Sequence, residues 1–133
     1  MDTHPAPAPR PLLVVDGANV VGSVPDGWWR DRRGAAERLR DRLVRVAEEG
    51  VGEVAGPVEV VLVVEGAARG VEPVPGVRVE SAPGSGDDHI VAVAASAAPG
   101  QECVVVTADR ELRERVAAHG ARSVGPRAVR GAG

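Results

Sequence analysis

Three apolar runs constrain what this chain can fold into more than any other feature. Leu12–Val15 reads Leu-Leu-Val-Val, residues 58–64 read Val-Glu-Val-Val-Leu-Val-Val, and Cys103–Val106 reads Cys-Val-Val-Val. Each is short, rich in β-branched residues and without clean alternation, which is the pattern of a strand covered on both faces. Between them the apolar period changes to that of helices. From about Arg30 to Glu49, Ala36, Leu39, Leu43, Val46 and Ala47 form one stripe, opposite Arg32, Arg38, Arg42 and Arg45. Asp41 and Arg45 stand at i,i+4 spacing, and Gly50 and Gly52 stop the helix. A second helix is predicted from Asp87 to Ala98 before Pro99-Gly100. A third is predicted from Arg110 to His119, with Leu112 and Val116 inward and Glu111 paired to Arg115. Weaker strands are expected at 77–80 and 121–124, and a loop at 20–27. Strands alternating with helices indicate an α/β fold around a mainly parallel sheet of about five strands.

The length, 133 residues, suits one domain. We expect it at 11–125, after a disordered Pro/Ala-rich lead-in at 1–10 and before a flexible tail at 126–133. With 44% hydrophobic residues a core is available, yet there is no Phe or Tyr and only two Trp, so Val, Leu and Ala must fill it. All 16 basic side chains are Arg, an excess that fits a GC-rich coding sequence as well as a function. The net charge of -3 argues against a generally basic nucleic-acid coat while leaving room for a local Arg patch. Cys103, the single cysteine, has no partner for an internal disulfide and reads as a small core residue. No apolar stretch is long enough to span a membrane, and Met1-Asp2-Thr3 does not open a signal peptide. The expectation is a soluble, cytoplasmic protein with no membrane partner.

All three buried runs end near an acid: Asp16 after the first, Glu65 after the second, Asp109 after the third. In a parallel sheet these ends share one rim, where open α/β sheets bind ligands. Asp87 and Asp88 start a helix that runs back from the same rim. Acids gathered this way repel one another, and a hard divalent cation such as Mg²⁺ resolves the conflict while activating water and phosphoryl groups. Each acid alone has a plainer reading. Asp16 before Gly17 suits a turn, Asp109 suits an N-cap, Ser85-x-x-Asp88 suits a capping box, and Glu65 suits a solvated strand end. Asn19 either orients a water or phosphate or closes an Asx-turn. Thr107 is either a hydroxyl at the site or a capping group.

Val-Val-Asp16-Gly-x-Asn19, Gly-Asp87-Asp88-x-Ile90 and Val-Val-Thr107-x-Asp109-x-x-Leu, in this order, resemble the PIN-like nuclease superfamily. They look most like its NYN branch and the YacP-like ribonucleases. The resemblance covers about Leu12 to Ser123. It implies a three-layer α/β/α domain with strand order 3-2-1-4-5, so that Asp16 and Asp109 meet at the topological switch point. It further implies Mg²⁺- or Mn²⁺-dependent endoribonuclease activity, with Asp16, Asp87 and Asp109 as metal-binding acids, Asn19 as polar partner and Asp88 as secondary acid. The implied partner is RNA, and a homodimer is allowed. In that reading one or two ions support in-line attack of water on phosphorus. Thr107, Arg110 and Arg113, or Arg30, Arg32 and Arg33, would meet the substrate, and Trp28 or Trp29 would stack on a base or close the core. Glu65 stands where relatives often carry Asp, and Glu37 and Asp41 are candidates for a further acid from the long helix. A non-catalytic PIN-like module that binds RNA or protein is the main alternative.

Other acid-bearing α/β sites fit less well. A haloacid-dehalogenase-like phosphatase needs an acid at the position of Ala18 and a downstream Lys, which the chain lacks. A Toprim-like site would use Glu65 and Asp109-Arg-Glu111 and leave Asp16 without a role. A dinucleotide-binding module lacks its glycine fingerprint after the first strand.

Overall fold

The computed structural model describes residues 9–129. Residues 1–8 of the lead-in expected at 1–10, and residues 130–133 of the tail expected at 126–133, lie outside the described residues. The elements are β1 (Leu12–Asp16), α1 (Gly17–Gly22), α2 (Arg32–Glu49), β2 (Gly50–Val51), β3 (Val54–Ala55), β4 (Glu59–Val64), β5 (Val77–Ser81), α3 (Gly86–Ala95), β6 (Cys103–Val106), α4 (Arg110–Ala117) and β7 (Arg122–Val124). Five of the strands form one sheet in the order β5-β4-β1-β6-β7, and every neighbouring pair in it is parallel. Counting only these strands, the order is 3-2-1-4-5, as the family resemblance implies.

Alternate residues of each strand feed opposite faces of this sheet. Leu13, Val15, Val60, Leu62, Val64, Val104 and Val106 pack with Leu39, Leu43 and Ala47 of α2. Leu12, Val14, Val61, Val63, Cys103 and Val105 pack with Ile90, Val93 and Ala94 of α3 and Leu112 and Val116 of α4. The layers are therefore α2, the sheet, and α3 with α4. The chain leaves β1 on the α2 side and returns from β5 to β6 on the other. That reversal makes the carboxyl ends of β1 and β6 the switch point.

The structure departs from the sequence reading at element ends. Residues 17–22, expected in part as loop, form α1, because the Asp16 carboxylate accepts the Asn19 N–H and caps a short helix. The long helix starts at Arg32 rather than Arg30. Asp31 caps it by accepting the Gly34 N–H at 2.9 Å, and Trp28–Arg30 form a separate 3-10 turn. Gly50 and Gly52 do more than end α2: residues 50–55 close the small antiparallel β2–β3 hairpin. The helices α3 and α4 stop at Ala95 and Ala117, earlier than expected. The anticipated helical ion pairs are replaced: Arg40 meets Asp41, Arg45 meets Glu49, and Arg115 meets Asp88 of α3. Part of the segment expected as tail is packed, with Pro126–Ala128 in a 3-10 turn and Val129 only 2% exposed in the core. No described helix is long and apolar enough to cross a membrane.

Candidate acidic site at the strand ends

Asp16 is the last residue of β1, on the face that looks toward α3 and α4, and it is 7% exposed. Its Oδ2 accepts the Thr107 hydroxyl at 2.8 Å, and its Oδ1 accepts the Asn19 N–H at 3.3 Å. Gly17 follows because the chain passes close to β4: a Cβ there would lie 2.6 Å from the Val63 carbonyl oxygen. Thr107, fully buried just past β6, also accepts the Asp109 N–H at 3.1 Å. One hydroxyl thus joins the Asp16 carboxylate to the Asp109 backbone across the switch point. Asn19 adds a second link, its Oδ1 accepting the Ala108 N–H at 2.8 Å. Thr107 thus sits between Asp16 and the Asp109 backbone, and Asn19 ties α1 to the β6–α4 turn.

Asp109 caps α4 by accepting the Leu112 N–H at 3.0 Å. Glu65, after β4, accepts the Gly86 N–H at 2.5 Å at the start of α3. It supplies the cap that Ser85 does not, so the expected capping box is absent. Asp88 is exposed and held by Arg115 at 2.8 Å, whereas Asp87 is half-buried.

The electrostatics centre on Asp16 and Asp87. Burial pushes the Asp16 pKa up to about 6, against the opposing hydrogen bonds from Thr107 and Asn19, and Asp87 and Glu65 add repulsion. Asp87 is likewise raised, first by burial and then by Asp109 and Glu65, with Arg115 partly offsetting. Asp16 is thus acted on by Asp87 and Glu65, and Asp87 by Asp109, Glu65 and Glu111; Asp109 is not among the charges acting on Asp16. Asp88, Glu37 and Asp41 are not among the charges acting on Asp16 or Asp87. Of the arginines, Arg113 reaches back so that its Nε donates to the Thr107 carbonyl at 2.9 Å, and Arg110 is exposed at the start of α4. Among the described residues, no three His, Cys, Asp or Glu side chains stand close enough to form a ready metal-binding cluster. Cys103 is buried and its thiol is pushed up to about 11 by burial, which leaves it inert at neutral pH.

No protein-family model and no curated protein matches the sequence. A solved structure does match: Rae1 (YacP) from Bacillus subtilis, the W164L mutant, with a TM-score of 0.69 at 18% identity. The alignment covers 90% of this chain and 72% of that one. The chain shares its fold with Rae1 (YacP). At the level of fold, this bears out the PIN-like, YacP-type resemblance carried by the three motifs. The acidic rim lies at the switch point of that shared fold.

Proposed function

We propose that this protein is a divalent-metal-dependent ribonuclease of the PIN-like, NYN type, a hydrolase cutting RNA phosphodiester bonds at the rim formed by Asp16, Glu65, Asp87 and Asp109. The observation that carries this reading is Asp16, a carboxylate 7% exposed whose pKa is raised to about 6, first by burial and also by two neighbouring acids, Asp87 and Glu65. Nothing in capping a six-residue helix requires that environment, whereas a cation at the rim would stabilise every charge in it. The donor set, all carboxylate oxygens, suits Mg²⁺ or Mn²⁺. Asp16, Asp87 and Asp109 would hold the ion, which when bound polarises phosphoryl oxygens and lowers the pKa of water.

The chain's own groups prepare the rim for this role. Thr107 and the Asn19 N–H hold the Asp16 carboxylate in one orientation, and its remaining lone pairs stay available. The Asn19–Ala108 bond keeps Asp109 in register with Asp16. Arg110 and Arg113 offer positive charge beside Asp109 for the phosphates of RNA. The likeness to Rae1 supports the fold beneath this reading.

The direct test is Mg²⁺- or Mn²⁺-dependent cleavage of single-stranded RNA by wild type and Asp16→Asn. A loss on the order of a hundredfold or more is expected. Undiminished cleavage by the variant would remove the site. The second reading, a non-catalytic module binding RNA or protein, draws on the absence of a ready three-acid metal cluster among the described residues. RNA binding without cleavage, together with no uptake of Mn²⁺ in a calorimetric titration, would favour it.

A further inference from the structure

Beside the β1 and β4 ends, on the α2 side of the sheet, lies a cavity of about 390 Å³. Its walls include Ala18, Trp28, Arg32, Ala36, Glu65 and Arg69. It is within the range of roughly 300–1,000 Å³ that small ligands occupy. Ala18 belongs to the turn that follows Asp16, and Glu65 is one of the four rim acids, so cavity and rim share an edge. We propose that this cavity seats the base of a single-stranded RNA nucleotide next to the phosphodiester at the rim, with Trp28 as its stacking surface and Arg32 and Arg69 meeting the flanking phosphate. This inference rests on the ribonuclease reading above and names the substrate contact that reading leaves open.

The walls carry the argument. Trp28 is half-buried, while Trp29, edge-on to it at 5.9 Å, is 53% exposed and does not line the cavity. Arg32 lies over the Trp28 ring at 5.3 Å from its centroid, covering one indole face with a guanidinium, itself a cationic plane of the kind on which bases stack. Arg69 is held by neutral acceptors, the carbonyls of Ala82 and Pro83 at 2.9 and 3.3 Å, so its charge is not neutralised. Neither Arg32 nor Arg69 forms an ion pair among the described residues. The wall is also braced, because Arg33 donates to the carbonyls of Arg69 and Gly70 and ties that turn to α2. An RNA strand approaching four acids on a chain of net charge -3 needs compensating positive charge close by, and two unpaired guanidiniums supply it. An acidic peptide would satisfy the arginines and leave the aromatic wall unused.

The two tryptophans are the only aromatic residues with Tyr and Phe absent, which makes fluorescence a local probe. Short oligoadenylate is titrated in EDTA, so that binding is read without cleavage, into wild type, Trp29→Leu, Trp28→Leu and Arg32→Ala. Trp29→Leu should retain saturable quenching at wild-type affinity. Trp28→Leu and Arg32→Ala, followed by filter binding and checked for folding by thermal melting, should each weaken binding about tenfold. Arg32 is exposed, so its variant keeps the test valid if Trp28→Leu does not fold. Binding is thus read apart from cleavage. This separates the two readings, since normal cleavage by Asp16→Asn would sink the ribonuclease site while leaving the base site standing. Absence of saturable quenching in Trp29→Leu, wild-type affinity in Arg32→Ala, or equal quenching by polyglutamate would overturn the base site.

Discussion

Asp16 concentrates the residue-scale physics. Its pKa is raised from 3.8 to about 6, so between those values the folded state holds a proton that the unfolded chain releases. Stability therefore falls as pH rises through that window, the reverse of the usual carboxylate behaviour. Without divalent cations, urea denaturation should show a negative slope of stability between pH 4 and 6, and Asp16→Asn should flatten it. The variant should be more stable than wild type at pH 7 by up to about 3 kcal/mol, from about 1.4 kcal/mol per pKa unit. A slope unchanged by the substitution would contradict the assignment. Thr107 is buried and serves both Asp16 and the Asp109 N–H. Thr107→Val should lower stability by about 1–3 kcal/mol in the same measurement, and Thr107→Ser should restore most of it. That Asp16 sits at a strand end could be read from its neighbours in sequence. That Thr107 would be its donor could not, because the contact spans 91 residues.

At the scale of elements, each acid ends one element or starts another, so a structural role coincides with the proposed functional one. Asp109 shows how to separate them. Asp109→Asn preserves a side-chain oxygen for the Leu112 N–H, whereas Asp109→Ala removes the cap. Melting curves should place Asp109→Asn near wild type and Asp109→Ala about 1 kcal/mol below it. RNA cleavage should fall in both, because only charge is lost in the first. Gly17 fixes how β1 turns into α1, and Gly17→Ala should destabilise by about 1–3 kcal/mol through its clash with the Val63 carbonyl. Element identity followed from apolar period, but ends did not. Asp31 and Glu65 act as caps in ways that local sequence either understated or assigned elsewhere. Glu65 reaches α3 across 21 residues and displaces the expected Ser85 box.

For the whole molecule, a cation that binds the folded rim and not the unfolded chain must raise stability by mass action. Mn²⁺ at a hundredfold excess over its dissociation constant should add about 2.7 kcal/mol to wild type, seen as a rise in Tm. Asp16→Asn and Asp87→Asn should lose most of that rise, and an equal rise in all three would place the ion elsewhere. The sheet makes this linkage global, because Asp16, Glu65 and Asp109 each extend a core strand or cap the helix that follows it.

The sequence alone determined the α/β class, the three buried strands and the acids that end them, since burial on both faces leaves a local apolar signature and strand ends are marked by Gly and Asp. The motif order also carried the resemblance to PIN-like proteins. Only the tertiary structure decided which carboxylates act together. It turned Asp88 to Arg115, brought Glu65 to the start of α3, and linked Asp16 to the Asp109 backbone through Thr107. It also opened a cavity between Trp28 and Arg69 beside the rim. Those relations depend on strand order and on contacts tens of residues apart, which no local pattern encodes.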